Sequence, residues 1–180
     1  VTTAPTTILV GRIGRVFWLR VEGRGTFQDS LQVKRAFQRV ISGGTTNLVV
    51  DLERCPMMDS TFLGTLTGAA LNLRETGDGR LSVLNANQRN LQLLTDLGLD
   101  YIMEVDTTGT AWPAERQVAC EQLSTCGEKG ANCKEEQTQH VLQAHQTLSG
   151  VSVQNEGRFR DVIHFLEKEV EPPSEPPASP

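Results

Sequence analysis

Val49-Val50-Asp51-Leu52-Glu53-Arg54-Cys55-Pro56-Met57-Met58-Asp59-Ser60-Thr61-Phe62-Leu63-Gly64-Thr65-Leu66 is the segment on which the reading of this chain turns. Its beginning, extended back to Leu48, is a short apolar run of the kind that forms strands buried on both faces. Glu53 to Pro56 reads as a turn. Asp59-Ser60 then opens a helix whose apolar stripe is Leu63, Leu66, Ala70 and Leu73, and Gly77-Asp78-Gly79 ends it. Ser is among the best N-cap residues, because its hydroxyl accepts a hydrogen bond from a free first-turn N–H, so Ser60 reads first as a cap. A second reading uses the same geometry. A phosphoryl group at a helix N-terminus meets unpaired N–H donors and the positive end of the helix dipole. It brings about −1.5 to −2 charges to one spot, here beside Asp59, and would repel an acidic partner. Met57, Met58 and Phe62 around the hydroxyl suit an adaptable contact surface, and equally an ordinary core, the commoner fate for Met57.

The same alternation continues on both sides. Ile8-Leu9-Val10 and Val16 to Val21 read as a strand hairpin around Gly11-Arg12-Ile13-Gly14. Val33, Ala36, Phe37, Val40 and Ile41 lie on one helical face, with Asp29 or Ser30 as the expected cap and Gly43-Gly44 as the stop. After the central segment come a strand at Leu81–Asn85, a helix marked by Leu91, Leu94 and Leu97 between Asn87 and Gly98, and a strand at Tyr101–Val105. Strands alternating with helices at this spacing predict an α/β fold with parallel crossovers in a mixed sheet. Beyond Asp106 the composition turns rich in Gln, Glu and Cys. Val141, Leu142, His145 and Leu148 predict one helix, and Phe159, Val162, Ile163 and Leu166 another. Neither can bury its stripe alone. Glu171 to Pro180 holds five of the eight prolines and is expected to be disordered.

Composition narrows the function classes. The 180 residues are 38% hydrophobic and 22% charged, enough for one domain with an appendage. A net charge of −5 argues against direct nucleic-acid binding, which usually needs a basic face. No apolar run approaches the roughly 20 residues that span a bilayer, and the first residues carry no secretory pattern, so a cytoplasmic location without membrane insertion is expected. Cys55, Cys120, Cys126 and Cys133 include no C-x-x-C pair and are read as reduced thiols. Cys120, Cys126, Cys133, His140 and His145 could supply three thiolates and an imidazole to zinc, but their spacing is far from the usual tight pairs. No metal site or cofactor is assigned, and the two histidines are read as surface residues of a helical appendage. Neither a nucleophile elbow nor a phosphate-binding Gly-rich loop is present, so the chain is read as a binding protein, not an enzyme.

With the strand, the Asp-Leu turn, Met58-Asp59-Ser60-Thr61-Phe62-Leu63-Gly64 and the closing Leu94-Thr95-Asp96-Leu97-Gly98-Leu99 in place, the chain resembles the STAS domain of bacterial anti-sigma factor antagonists over about residues 7–106. Members typically show Asp-Ser-Ser/Thr-Gly-Leu-Gly at this point. Asp59, Ser60, Thr61, Leu63 and Gly64 match it; Phe62 stands where the family usually has Gly. The loop Gly23 to Phe27 lacks the acidic residue often found there, though Asp29 lies nearby and Arg24 is basic. The resemblance implies a STAS fold, with a mixed, mainly parallel sheet and packed helices, plus a helical C-terminal extension. It implies partner switching, in which the chain binds an anti-sigma factor that is a serine kinase and so frees a sigma factor for transcription. Phosphorylation at Ser60 would end the interaction and a serine phosphatase would restore it. Asp59 and Thr61 would flank the phosphoacceptor. Met58, Phe62, Leu63, Leu66, Arg24 and Asp29 would meet the partner.

The expected organisation is a tail at 1–6, the STAS domain at 7–106, a helical extension at 107–170 and the Pro-rich tail at 171–180. Two other functions stay open: a docking subunit of a lipid- or anion-transport assembly that uses the same helix face, and a stressosome-like scaffold component. Whether the extension covers the switch surface, forms a homo-oligomer or recruits something else is left open by the sequence.

Overall fold

Residues 5–127, 130 and 133–170 are described by a computed structural model of the chain. The expected disordered tail, and residues 1–4 of the expected N-terminal tail, lie outside the described residues. The elements follow the order β1 (Thr7–Ile13), β2 (Val16–Glu22), α1 (Phe27–Ser42), β3 (Asn47–Arg54), α2 (Ser60–Glu75), β4 (Arg80–Leu84) and α3 (Gln88–Asp96). A 3-10 turn at Leu99–Tyr101, β5 (Glu104–Val105), α4 (Pro113–Gln122), β6 (Ser124–Thr125), α5 (Lys134–Ser149) and α6 (Val153–Val170) complete it. The sheet runs β5-β4-β3-β2-β1-β6. β2, β3, β4 and β5 are mutually parallel, whereas β1 pairs antiparallel with both β2 and β6. The α/β architecture expected from the alternation, a mixed and mainly parallel sheet with packed helices and further helices at the C-terminus, is the one adopted.

Period two in the central strands explains why both faces of the sheet are covered. Leu48, Val50 and Leu52 of β3, with Phe17, Leu19 and Val21 of β2, point into the main core with α1 and α2. Phe37 of α1 meets Phe17 there edge to face, ring centroids 6.2 Å apart. Val49, Val16 and Trp18 point the other way, into a smaller cluster closed by Ala119 of α4 with Trp112, Val118 and Leu123. That second face also holds a charge network. Asp51 accepts from Arg20 Nε at 2.8 Å and from Asn85 Nδ2 at 2.8 Å. Asn85 in turn accepts from Arg116, which also pairs with Asp106 at 2.7 Å. α4 and β6 were not anticipated from the sequence. Both are short, and neither has an apolar period of its own.

The residues beyond 106 interleave with the α/β unit. β6 is the edge strand on β1, α4 lies over the second face, and the α5–α6 hairpin packs on α2. Leu148 of α5 and Phe159 of α6 belong to the main core. Asn155 of α6 is buried and donates from Nδ2 to the carbonyls of Leu97 (2.9 Å) and Leu148 (3.1 Å), tying the hairpin to the end of α3. Among the described residues no helix is long and apolar enough to cross a membrane.

The start of α1 differs from expectation. α1 begins at Phe27 with Thr26 at the cap position, so Asp29 lies within the first turn and is buried. The Phe27 N–H at the head of α1, which a local cap does not reach, is bound by the Asp59 carboxylate, at 2.8 Å, from the start of α2. Asn87 does cap α3 as expected, its side chain accepting from Asn90 N at 2.9 Å.

Candidate functional site

α2 starts where a strand buried on both faces ends, and its first turn is organised by Asp59. The Asp59 side chain is the N-cap: Oδ1 accepts from Phe62 N at 2.8 Å, and Oδ2 takes the Phe27 N–H of α1. Ser60 is therefore the first residue inside the helix and not its cap, which corrects the simplest reading of this serine. Its hydroxyl, free of capping, meets His145 Nε2 of α5 at 2.9 Å. His145 Nδ1 lies 2.8 Å from the carbonyl oxygen of Val141 one turn earlier. A carbonyl only accepts, so Nδ1 carries a proton, and in the neutral ring Nε2 is the acceptor of the Ser60 hydroxyl. The ring is braced from α6 by Phe159, edge to face at 5.6 Å between centroids.

One turn along α2, on the same face as Ser60, lies Gly64. A Cβ there would sit 2.3 Å from the carbonyl oxygen of Ala144, so the two helix backbones touch at this point. Next to it, Thr65 Oγ1 is 3.2 Å from His140 Nε2, which also lies 3.0 Å from Ser30 Oγ of α1. Both hydroxyls already donate elsewhere, Thr65 to the Thr61 carbonyl and Ser30 to the Phe27 carbonyl, so His140 Nε2–H donates to them. Contacts 60–145, 64–144 and 65–140 ascend along α2 and descend along α5, so the helices cross antiparallel.

The placement of the expected site residues divides them sharply. Phe62 and Leu66 are 0% exposed, Leu63 1% and Met58 2%; their side chains are core and present no surface to a partner, which corrects their expected contact role. The large ring at position 62 is accommodated because residue 25 is Gly: a Cβ at Gly25 would lie 2.9 Å from Phe62 Cδ1. Thr61 and Asp29 are also buried, so neither offers a partner much surface. Arg24 and Asp59 share an open recess with Thr26, Phe27 and Gln28, and Phe27 is 44% exposed. Ser60 follows Asp59 in sequence but does not line the recess, and its hydroxyl is held against α5.

Sequence reasoning missed Phe27, His140, Ala144 and His145. The histidines, expected on the surface, are buried at 4% and 6% exposure. Counting His140 as a face residue would have revealed the stripe His140, Ala144, Leu148 at i, i+4, i+8. Among the described residues no group of His, Cys, Asp and Glu is arranged to hold a metal ion.

Burial, reinforced by the nearby Lys34 and Arg35 charges and opposed by Glu136, pushes His140 down from 6.5 to about 4. The unfolded chain therefore takes up this proton first as the pH falls. The stability from neutral His140 is complete above pH 6.5 and is lost as the pH drops through the window down to about 4. Urea midpoints measured across that window should fall more steeply for the parent than for His140→Gln; parallel curves would rule out this titration.

Residues 10–104 match the family model described as "Mlab, STAS domain", more than half of the chain. An anti-sigma factor antagonist from Mycobacterium paratuberculosis superposes with a TM-score of 0.54 at 20% identity, over 66% of this chain and 97% of that one. A Thermotoga maritima protein described as a candidate anti-sigma factor antagonist gives 0.52 at 19%, over 61% and 92%. At these identities the likeness is one of fold. No curated protein matches the chain.

Proposed function

Because the chain belongs to the STAS domain family, we propose that it is a phosphorylation-controlled binding protein, an anti-sigma factor antagonist whose switch residue is Ser60. The observation that carries the reading is the division of labour at the start of α2. Asp59 does the capping, so the Ser60 hydroxyl is available for another use at a helix N-terminus. Such a position favours a phosphate, because first-turn N–H groups and the helix dipole both face it.

In this reading a cytoplasmic anti-sigma factor with serine kinase activity approaches over the recess lined by Arg24, Phe27 and Asp59. Phe27 is the exposed aromatic anchor and Arg24 the charge complement to an acidic partner. Phosphorylation of Ser60 would set a dianion beside Asp59 and turn that surface against the partner; a phosphatase would reverse it. The chain is then a substrate of the kinase and supplies no catalysis. Engagement of the hydroxyl by His145 favours a second reading, a constitutive docking module of a transport assembly in which Ser60 is never modified.

Phosphopeptide mass spectrometry on the protein isolated from its native cells, with Ser60→Ala alongside, separates the two. The antagonist reading expects phosphate on Ser60 that is absent from the variant, together with capture of a kinase by the unphosphorylated chain. A Ser60 unmodified under all growth conditions, with membrane proteins co-purifying, would leave the docking module.

A further inference from the structure

The face of α2 that carries Ser60 is already occupied in cis. Three contacts seat α5 on it: the Ser60 hydroxyl on His145 Nε2 at 2.9 Å, the Gly64 backbone against the Ala144 carbonyl, and Thr65 with His140 at 3.2 Å. Gly64 leaves α5 no room to move closer, and the hydrogen bond leaves no gap in front of Oγ. A phosphate on that oxygen needs space for a phosphorus and three further oxygens, together with their charge, where the imidazole now sits.

We infer that the α5–α6 hairpin is a removable occupant of the Ser60 face, held by His145 on the unmodified hydroxyl and excluded by phosphate at the same atom. This rests on the reading of Ser60 as a phosphoacceptor. Transfer from a nucleoside triphosphate forms the Oγ–P bond, breaks the bond from the γ-phosphorus to the leaving diphosphate, and releases the hydroxyl proton. The docked hairpin therefore competes both with that modification and with any partner helix seated on α2. Such a helix meets the same demands as α5: a small residue over Gly64 and a hydrogen-bond partner facing Ser60. Displacement would uncover Leu148, Phe159 and the two histidines, all buried while the hairpin is down.

The test is made on the full chain, with phosphoserine installed at position 60 during synthesis by codon suppression and hydrogen exchange followed by mass spectrometry. Peptides from α5 and α6 should exchange at least ten-fold faster than in the serine form, while those from β2 and β3 keep their protection. Unchanged protection of α5 would overturn the inference, since the hairpin would then accommodate the phosphate. Loss of protection in β2 and β3 as well would also overturn it, because the hairpin would be inseparable from the fold. Neither kinase nor partner enters this measurement. Absence of phosphate on Ser60 in cells would defeat the functional reading and leave the exchange result standing.

Discussion

Gly64→Ala should destabilise the chain by about 2 kcal/mol, while Gly68→Ala, one turn further along the same helix, should stabilise it by about 1 kcal/mol. Alanine in a helix interior gains about 1 kcal/mol over glycine at either position. At Gly68 nothing lies within 4 Å of the new methyl, so that gain stands alone. At Gly64 the methyl would meet the Ala144 carbonyl oxygen at 2.3 Å, with the Ala144 C and Cα at 2.7 and 2.9 Å. These are backbone atoms of a helix that no rotamer change can move aside, so α5 must lift as a body. Overpacking of this kind costs about 3 kcal/mol, which outweighs the propensity gain. Urea unfolding of the two variants should therefore move in opposite directions. Gly64→Ala should also speed exchange in α5 selectively. A Gly64→Ala chain as stable as its parent would mean that α5 does not sit on α2 at this distance.

The second large effect is expected on the opposite face of the sheet. Asp51 is 1% exposed and pairs with Arg20, itself 8% exposed. Asp51→Ala leaves that guanidinium buried without its counter-charge and Asn85 without its acceptor, a loss of about 3–5 kcal/mol. Adding Arg20→Met should recover part of this, because the orphaned charge leaves and an unbranched apolar chain fills the space beneath α4. Thermal or urea unfolding of the single and double variants checks it. A double variant no more stable than Asp51→Ala would show that the other donors to Asp51, from Asn85, Trp18 and the Glu53 N–H, carry the penalty in place of Arg20. The pair lies across the sheet from Ser60, so binding through the α2 face should survive in whatever fraction of the double variant remains folded.

Much of the fold was legible because its signals are local. Val49-Val50-Asp51-Leu52 announces a strand buried on both faces, since no polar alternation interrupts it. Leu63, Leu66, Ala70 and Leu73 announce a helix by their spacing, and Asn87 announces its cap three residues before the donor it serves. The start of α1 is not legible in the local sequence because its first N–H is bound by Asp59, a residue 32 positions away. β6 was invisible because two residues have no period, and only the free edge of β1 makes Ser124-Thr125 a strand.

The site divides in the same way. By itself the sequence determined that Asp59-Ser60 opens a helix and that Gly64 lies one turn beyond, because capping chemistry and helical period act between neighbours. Only the tertiary structure decided which of the two caps, since Asp59 is held by donors from α1 as well as α2. It alone placed Phe62 against Gly25 in the core, where the pattern left core and contact surface equally open. It also turned His140 and His145 from surface residues into partners of Thr65 and Ser60. Those contacts span 75 and 85 residues and form because α5 and α6 cannot bury their apolar stripes on each other alone, and the small residues of α2 let a second helix backbone come close.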